Sequence, residues 1–467
     1  MNANSLYYGD CLDWMQKWND QSVDLIYLDP PFNSKANYNQ LFHTEGGGDA
    51  QFRAFNDTWI WDQAAEERLD RYFNASALKA HDSICGLYRV LSPCGMLAYL
   101  TYMAERLEQC HRLLKNTGSI YLHCDPTASH YLKIICDDIF AKKGFPFRNE
   151  IIWHYYNGTS NIKCAHVRKH DTILFYSGKE AVQRFNENEA REPYAENSNF
   201  VRNPEGYKGK YRPHPLGKRM HDVWRIPTIN NMAKERLGYP TQKPETLLDR
   251  IIKVSTNEGD IVLDPFCGCG TTIAVAKRLR RPFVGIDISS FAIDLVQSKR
   301  LKDESIAVYG IPFDLRSAEK LAKDNTYNFE SWAVTRLPGF VPNTKQIGDR
   351  GVDGRATLSH KPDNWETKLA LAQVKSGKFN LGHLRDFIHV TDRDMAALGC
   401  FVTLHPVDTL ESRREIATTK TVHVHNYDYP RMQIWSIDEY FRKSLPHLPL
   451  MNDPFTGKSM NVPQIQF

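Results

Sequence analysis

The ten cysteines of this 467-residue chain include no C-x-x-C pair, so the usual thiol spacing of a structural zinc site or a dithiol redox centre is missing. Cys267 and Cys269 stand one residue apart inside a glycine loop, where two thiols alone cannot complete a tetrahedral metal site. Scattered thiols of this kind read as reduced and mostly buried. No apolar run approaches the roughly 20 residues that span a bilayer, and Met1 to Tyr8 has neither the basic start nor the apolar segment of a secretion signal. A cytoplasmic protein with no membrane partner is expected. Internal repeats and low-complexity tracts are absent too, and Gly46-Gly47-Gly48 reads as a short piece of a mobile loop. Charge of one sign is scarce: 59 Lys and Arg against 55 Asp and Glu leave a formal net charge of +4. That balance permits a nucleic-acid partner without demanding one, so the argument for one rests on local clustering.

What the chain does have is length, and 467 residues are long for one core, so two or more domains are expected. Apolar runs with strand character end at Asp10, Asp29, Asp125, Asp264 and Asp287, and helical patterns such as Met103 to Leu114 and Thr246 to Ser255 lie between several of them. That alternation is the pattern of an open α/β sheet with ligand sites at the carboxyl ends of its strands. Glu150 to Tyr156 and Asp171 to Tyr176 read as adjacent strands joined by a polar loop. After about Arg300 the alternation stops, and residues 303–320 read as a linker between a first domain, 1–302, and a second, 321–467.

Two of the strand ends carry chemistry. Asp29-Pro30-Pro31-Phe32 follows the apolar run Val23 to Leu28. An exocyclic amine is a poor nucleophile because its lone pair is delocalised into the ring. A carboxylate such as Asp29 can accept one N–H bond and the Pro30 carbonyl the other, while consecutive prolines hold both acceptors in place. Phe32 can stack on a base rotated out of a duplex. The bland alternative is a plain turn after a strand. The second strand end, Asp264-Pro265-Phe266-Cys267-Gly268-Cys269-Gly270-Thr271-Thr272, has small residues that let a ligand approach the backbone and threonines that open a helix. Asp287 ends the next strand, where a carboxylate can bind both hydroxyls of a ribose. A nicotinamide site would share that geometry, but the glycine pattern is not G-x-G-x-x-G.

Between about 185 and 236 periodicity is lost. An acidic stretch (Glu187, Glu189, Glu192, Glu196) precedes a basic one: Arg202, Lys208, Lys210, Arg212, Lys218, Arg219 and Arg225, with Tyr207, Tyr211 and Trp224 interleaved. Cations suit phosphates and flat rings suit unstacked bases, although a solvated loop has the same composition. Taken with the two loops, it reads as an insert that recognises double-stranded DNA.

Residues 1 to about 302 resemble the β-group of DNA amino-methyltransferases, in which the catalytic region precedes target recognition and cofactor binding, a circularly permuted order. Tyr8-Gly9-Asp10-Cys11, Gly118 to Asp125, His170 to Tyr176 and Thr241-Gln242-Lys243-Pro244-Glu245 match further elements of that family. The resemblance implies a Rossmann-like sheet with permuted motif order, closed at one edge by an antiparallel hairpin. It also implies S-adenosyl-L-methionine as cofactor, held by Asp10, Cys11, Lys243, Asp264, Pro265, Phe266, Gly268, Gly270, Thr271, Thr272 and Asp287. Asp10 is the expected contact to the cofactor adenine. Asp29, Pro30, Pro31 and Phe32 take the catalytic role, with adenine N6 favoured over cytosine N4 because the latter enzymes more often begin the loop with serine. Cytosine carbon-5 chemistry needs an attacking thiolate, and the only Pro-Cys pair, Pro93-Cys94, sits in a turn between helices. Cys267 and Cys269 depart from the family's usual small residues without excluding its chemistry.

The second domain contains Phe329-Glu330 on a helix, a Gly348-Asp349-Arg350-Gly351-Val352-Asp353-Gly354 turn and Gln373-Val374-Lys375 on a strand. Metal-assisted cleavage of a phosphodiester needs acidic oxygen ligands and a cation near the attacking water; Asp353 and Glu330 suit Mg²⁺, and Lys375 suits the water. The arrangement resembles nucleases of the Mrr type with a restriction-endonuclease-like α/β fold, which implies Asp353, Gln373 and Lys375 as site residues. Gln373 replaces the acid of the wider nuclease signature and leaves one fewer charged ligand. Other readings stay open: a nuclease using the first half to recognise DNA, a DNA-binding module, a methyltransferase acting on RNA or on protein glutamine, and a chain that works as a homodimer.

Overall fold

The computed structural model describes residues 1–467 apart from 32–38, 43–49, 54–58, 156–163, 165, 204–212, 231, 240, 303–304, 344–350, 360–366, 425–426, 455–458 and 461–467. Phe32, Gly46 to Gly48, Tyr207, Lys208, Lys210, Tyr211, Arg212 and Gly348 to Arg350 lie outside the described residues. Among the described residues, nine strands form one mixed sheet. In chain order they are β1 (Ser5–Tyr8), β2 (Val23–Leu28), β3 (Leu114–Cys124), β4 (Phe147–His154), β5 (His170–Ser177), β6 (Val223–Arg225), β7 (Val262–Asp264), β8 (Phe283–Asp287) and β9 (Ala307–Tyr309). Across the sheet they run β6-β4-β5-β3-β2-β7-β8-β1-β9. The centre, from β3 through β1, is parallel, and β5 enters antiparallel to both β3 and β4. The expected hairpin is therefore present and lies toward one edge.

Side chains alternate across a strand, and in β2 that alternation feeds two cores. Ile26 and Leu28 join a cluster with Leu69, Leu100, Leu107 and Ile135 from the helices Gln63–Asn74, Gly95–Leu113 and Ser129–Ile139. Leu25 and Tyr27 join the opposite cluster with Leu248, Ile252 and Ile273, from the helices Glu245–Ser255 and Thr271–Arg278. Helices thus cover both faces, as a buried parallel sheet requires. Pro93-Cys94 turns the chain between the helices His81–Leu91 and Gly95–Leu113, as expected. Gly95 lies so close to the Trp59 carbonyl that a Cβ would collide with it.

The stretch 303–320 is corrected by the structure. β9 pairs in parallel with β1 as the last strand of the sheet, and a helix with a reciprocal Asp314–Ser317 cap begins at Leu315. A three-residue edge strand is too short to show a period in sequence, which is why it read as a linker.

Beyond it, a second, five-stranded sheet runs β10 (Val341–Pro342), β11 (Gly354–Ser359), β12 (Thr367–Lys375), β13 (Leu398–Thr403) and β14 (Met432–Ser436) in spatial as well as chain order. Its first three strands are antiparallel neighbours and its last three parallel ones. One face packs on the helix Leu381–Arg393. The other, through Ala370, Ala372 and Val374, shares a single cluster with Phe329, Trp332 and the first sheet. Polar contacts cross as well: the Tyr8 hydroxyl donates to the Asn328 carbonyl at 2.7 Å, and the Arg336 guanidinium pairs with Asp294. Among the described residues no helix is long and apolar enough to cross a membrane.

Because Trp332 is fully buried where the two sheets share their core, Trp332→Ala is expected to cost about 3–5 kcal/mol. Urea unfolding followed by tryptophan fluorescence and by far-ultraviolet circular dichroism should show one coincident transition in the wild type, moved to lower urea in the variant.

Candidate active site

Parallel strands deliver their following loops to one edge, and five acidic residues arrive there. Asp29 follows β2, Asp125 follows β3, Asp264 ends β7, Asp287 ends β8 and Asp10 follows β1 by two residues. Asp10, Asp29, Asp264 and Asp287 line one cavity together with Pro30, Pro31, Lys243, Gly268 and Thr271. Cys11, Pro265, Phe266 and Thr272 line it too, whereas Gly270 stands behind it as the N-cap of the helix Thr271–Arg278.

The glycine loop is shaped by close approach and by hydrogen bonds. Gly270 has φ +74, and a Cβ there would fall 2.7 Å from a Val296 methyl, so the backbone could neither hold its turn nor keep its contact with another residue. The Gly268 and Ser289 amides each donate to one oxygen of Asp287 at 2.8 Å. Asp264 accepts from the Phe266 amide at 3.1 Å. Burial pushes the Asp264 carboxyl up to about 7 and the Asp287 carboxyl up to about 6, only partly offset by these donors.

Three cations organise the rim, and the sequence reading missed two of them. Lys243 was expected on the cofactor side. The structure turns its ammonium onto Asp29, 2.7 and 2.5 Å from the two carboxylate oxygens, while its own carbonyl accepts from the Thr271 hydroxyl at 3.1 Å. Arg106, on the helix Gly95–Leu113, is 2% exposed and grips Asp10 at 2.8 and 2.6 Å. Its guanidinium lies 3.2 Å over the Tyr102 ring, and Tyr102 lines the cavity. Asp10 is thus the counter-ion of a buried guanidinium while it also lines the cavity. Arg300 reaches the Cys269 carbonyl, Thr271 and Glu245, tying the glycine loop to the helix beside it. Neither arginine sits in a motif, and no pattern in the sequence singles them out.

The insert departs further from expectation. Lys218 and Arg219 form a two-residue strand against Arg191–Glu192, and they pair with Glu192 at 3.0 Å and with Glu187 at 3.7 Å. The basic stretch is in part neutralised by the acidic one, because the antiparallel pairing sets them side by side. Trp224 is 7% exposed, donates to the His221 carbonyl at 2.8 Å and belongs to the core, so it is no stacking platform. Arg225 is exposed at the edge strand β6.

In the second sheet Asp353 and Gln373-Val374-Lys375 meet. Asp353 accepts from the Val374 amide at 2.7 Å, and Gln373 donates to the Gly351 carbonyl at 3.1 Å. The Gln373 side-chain oxygen is buried without a hydrogen-bond partner. Glu330 stands one turn before Val334, whose methyl groups press on Gly354. Among the described residues no group of three His, Cys, Asp or Glu side chains converges as a metal site.

The profile of the N6/N4 DNA methylase family matches residues 23–298. The chain belongs to that family. The type II methyltransferase M.BglII of Bacillus subtilis is 37% identical over 302 residues, covering 63% of this chain and 68% of that protein. M.HpaI of Haemophilus parainfluenzae is 34% identical over 285 residues, 60% of this chain and 84% of its own. The DNA adenine methyltransferase YhdJ of Escherichia coli K12 is 28% identical over 288 residues, 62% and 79% of the two chains. The enzyme is accordingly an S-adenosylmethionine-dependent DNA methyltransferase of the N6/N4 class. The family match stops at residue 298 and does not reach the second sheet.

A carboxyl raised by burial stabilises the fold while protonated and loses that contribution as pH rises through its folded value. With Asp264 near 7 and Asp287 near 6 when folded and both at about 4 when unfolded, the melting temperature of the cofactor-free enzyme should fall as pH rises from about 4 and level off above about 7. Asp264→Asn, followed by thermal denaturation across that range, should flatten the slope.

Proposed function

We propose that the enzyme methylates adenine N6 in double-stranded DNA at a specific sequence. The observation that supports this best is the Asp29-Pro30-Pro31 loop beside the glycine loop in one cavity, with Lys243 bonded to Asp29. In this reading Asp29 and the Pro30 carbonyl accept the two N–H bonds of the flipped base, and Phe32 stacks on it. YhdJ, similar over most of the matched region, is named for adenine, and the loop begins with aspartate and not serine. Cytosine N4 is the alternative that the same geometry serves.

The cavity suits S-adenosylmethionine. Asp287 keeps lone pairs on both oxygens for ribose hydroxyls, and the open glycine backbone admits the methionine part. Bound there, the cofactor supplies an electrophilic methyl on a sulfonium. Lys243 holds Asp29 in place, Arg106 fixes Asp10 and Tyr102 against the adenosine side, and Arg300 keeps the glycine loop closed on its helix. Arg225, with Lys208, Lys210 and Arg212 of the insert, meets phosphates, while Lys218 and Arg219 do so only by exchanging their acidic partners. The catalytic loop preceding the cofactor loop in the chain fits the permuted order of the β-group.

A second reading concerns residues 321–467, and the unpartnered Gln373 oxygen beside Asp353 favours it. Those two oxygens, with Glu330, would hold Mg²⁺ in a restriction-endonuclease-like unit, and Lys375 would orient water for cleavage. Such a unit would place the enzyme in a restriction or defence system.

Asp29→Ala is expected to abolish DNA methylation, a loss of at least about 10³-fold, while S-adenosylmethionine binding by calorimetry persists. Single-molecule sequencing of DNA from cells expressing either form checks the base and the site together; modified cytosine in place of adenine would overturn the adenine assignment. Asp353→Ala should leave methylation at the wild-type level in the same assay, and a loss there would join the two units functionally.

A further inference from the structure

Methylating an exocyclic amine leaves one proton too many on nitrogen, and the site as described gives that proton no clear destination. Asp29 is the nearest carboxylate, yet both its oxygens already bond the Lys243 ammonium. Protonating it would break an ion pair whose members are 16% and 9% exposed. A second polar group reaches the same cavity. Tyr27 stands two residues before Asp29 at the end of β2, so the two side chains leave the same face of the strand, and both line the cavity.

Behind Tyr27 lies a buried polar chain that the reaction as described does not use. The Tyr27 hydroxyl is 2.9 Å from Nδ1 of His123, which is fully buried. Nε2 of His123 is 3.0 Å from Asp171, and the other Asp171 oxygen accepts from the Tyr155 hydroxyl at 3.2 Å. The indole of Trp153 packs edge-on against the imidazole. A carboxylate can only accept, so in the neutral ring Nε2 carries the hydrogen and Nδ1 is left as an acceptor. Tyr27 therefore donates inward and turns its oxygen lone pairs toward the cavity. The charged and titratable groups around the chain are Asp29 just after β2, Cys124 and Asp125 at the end of β3, Asp264 at the end of β7, and Lys243 on the loop before the helix Glu245–Ser255. Burial by itself would raise the Asp171 carboxyl; the hydrogen bond from His123 and the charge of Lys243 hold it below its ordinary value.

We propose that Tyr27 takes the proton lost from the methylated amine and passes its own to His123, with Asp171 holding the resulting imidazolium. The step balances. The amine nitrogen forms its bond to the methyl carbon while the sulfur–carbon bond breaks and its electron pair stays on sulfur. As the N–H bond breaks, an O–H bond re-forms on Tyr27 and the former Tyr27 proton bonds Nδ1 of His123. The imidazolium then lies between a hydroxyl oxygen and the Asp171 carboxylate, and the half-buried Asp171 and Tyr155 give the proton its way out. Tyr27 acts on the reacting atoms, while His123 and Asp171 act through it.

This inference rests on the reading of the cavity as the amine-methylating site. The test is single-turnover methyl transfer from S-adenosylmethionine to DNA carrying the sequenced recognition site, by the full-length wild type, Tyr27→Phe and His123→Gln, in H₂O and in mixtures with D₂O. In the wild type more than one proton should move with transfer, giving a curved dependence of rate on deuterium fraction. Tyr27→Phe keeps the ring and removes only the hydroxyl, so its melting temperature should fall by no more than the loss of one buried hydrogen bond allows, and its cofactor affinity should match the wild type. Its transfer rate should fall roughly a hundredfold or more and its deuterium dependence should become linear, and His123→Gln should show the same loss of curvature. Wild-type rates in Tyr27→Phe, or a slowed rate that keeps the curved deuterium dependence, would overturn the relay while leaving the methylation reading standing. Absence of transfer by the wild type itself would overturn both.

Discussion

The site depends on the parallel register between Val23–Leu28 and Val262–Asp264, in which Leu25 stands opposite Val262 and Ile26 opposite Leu263. Both strands are buried on both faces, so a one-residue slip would exchange the side chains that face the two helical layers. Parallel neighbours send their following loops to the same edge. The Asp29-Pro30-Pro31 loop and the glycine loop therefore meet whatever their order in the chain. Register replaces sequence proximity, and two strand-end loops more than two hundred residues apart in the chain line one cavity.

What the register brings together is mostly charge, and charge gathered in a partly dry cavity is costly unless paired. Each carboxylate at the rim has an answer of its own. Asp29 has Lys243, Asp10 has Arg106, and Asp287 has two backbone amides. Asp264 has the Phe266 amide and Thr272, and burial still outweighs them. The two carboxyls left raised are those on the glycine-loop side, where a cationic cofactor would favour their ionised forms. The paired ones, Asp29 and Asp10, are held ready on the other side. This division follows from which element supplies the cation: the helix Gly95–Leu113 and the loop before Glu245 lie over one half of the cavity only.

The same physics decides what could be read from the residues alone. The strand-end carboxylates were legible because a β-rich apolar run that stops at an acid reports both a strand and the edge where ligands gather. A helix over Met103 to Leu114 was legible from its period, although the observed one begins at Gly95, and the Gln373-Val374-Lys375 strand was legible as well. Pairings across the chain were not. Lys243 finds Asp29 from 214 residues away, and nothing local distinguishes it from a lysine that meets a cofactor. The cations Lys218 and Arg219 looked free because the acids that neutralise them are brought close only by a two-stranded pairing. Trp224 looked like a stacking ring for the same reason: a tryptophan in a polar stretch declares its size, not which side of the sheet will bury it. The short strand Ala307–Tyr309 gave no period at all and passed for a linker.

That last misreading bears on how the two sheets work together. A linker would let the second unit hinge; an edge strand followed by a capped helix and a shared core holds it fast. The contacts that fix it lie close to the cofactor side of the cavity. Tyr8, which bonds Asn328, is two residues from Asp10, and Asp294, which pairs with Arg336, sits on the helix Ser290–Leu295 that follows Asp287. Displacing the second sheet would therefore pull on the strand end and the helix that carry two of the four cavity carboxylates. Phe329 and Trp332 pack in the same cluster as residues of both sheets. The structure thus couples the two units by packing, through elements that carry the cavity's carboxylates, while the cavity's own lining comes from the first unit.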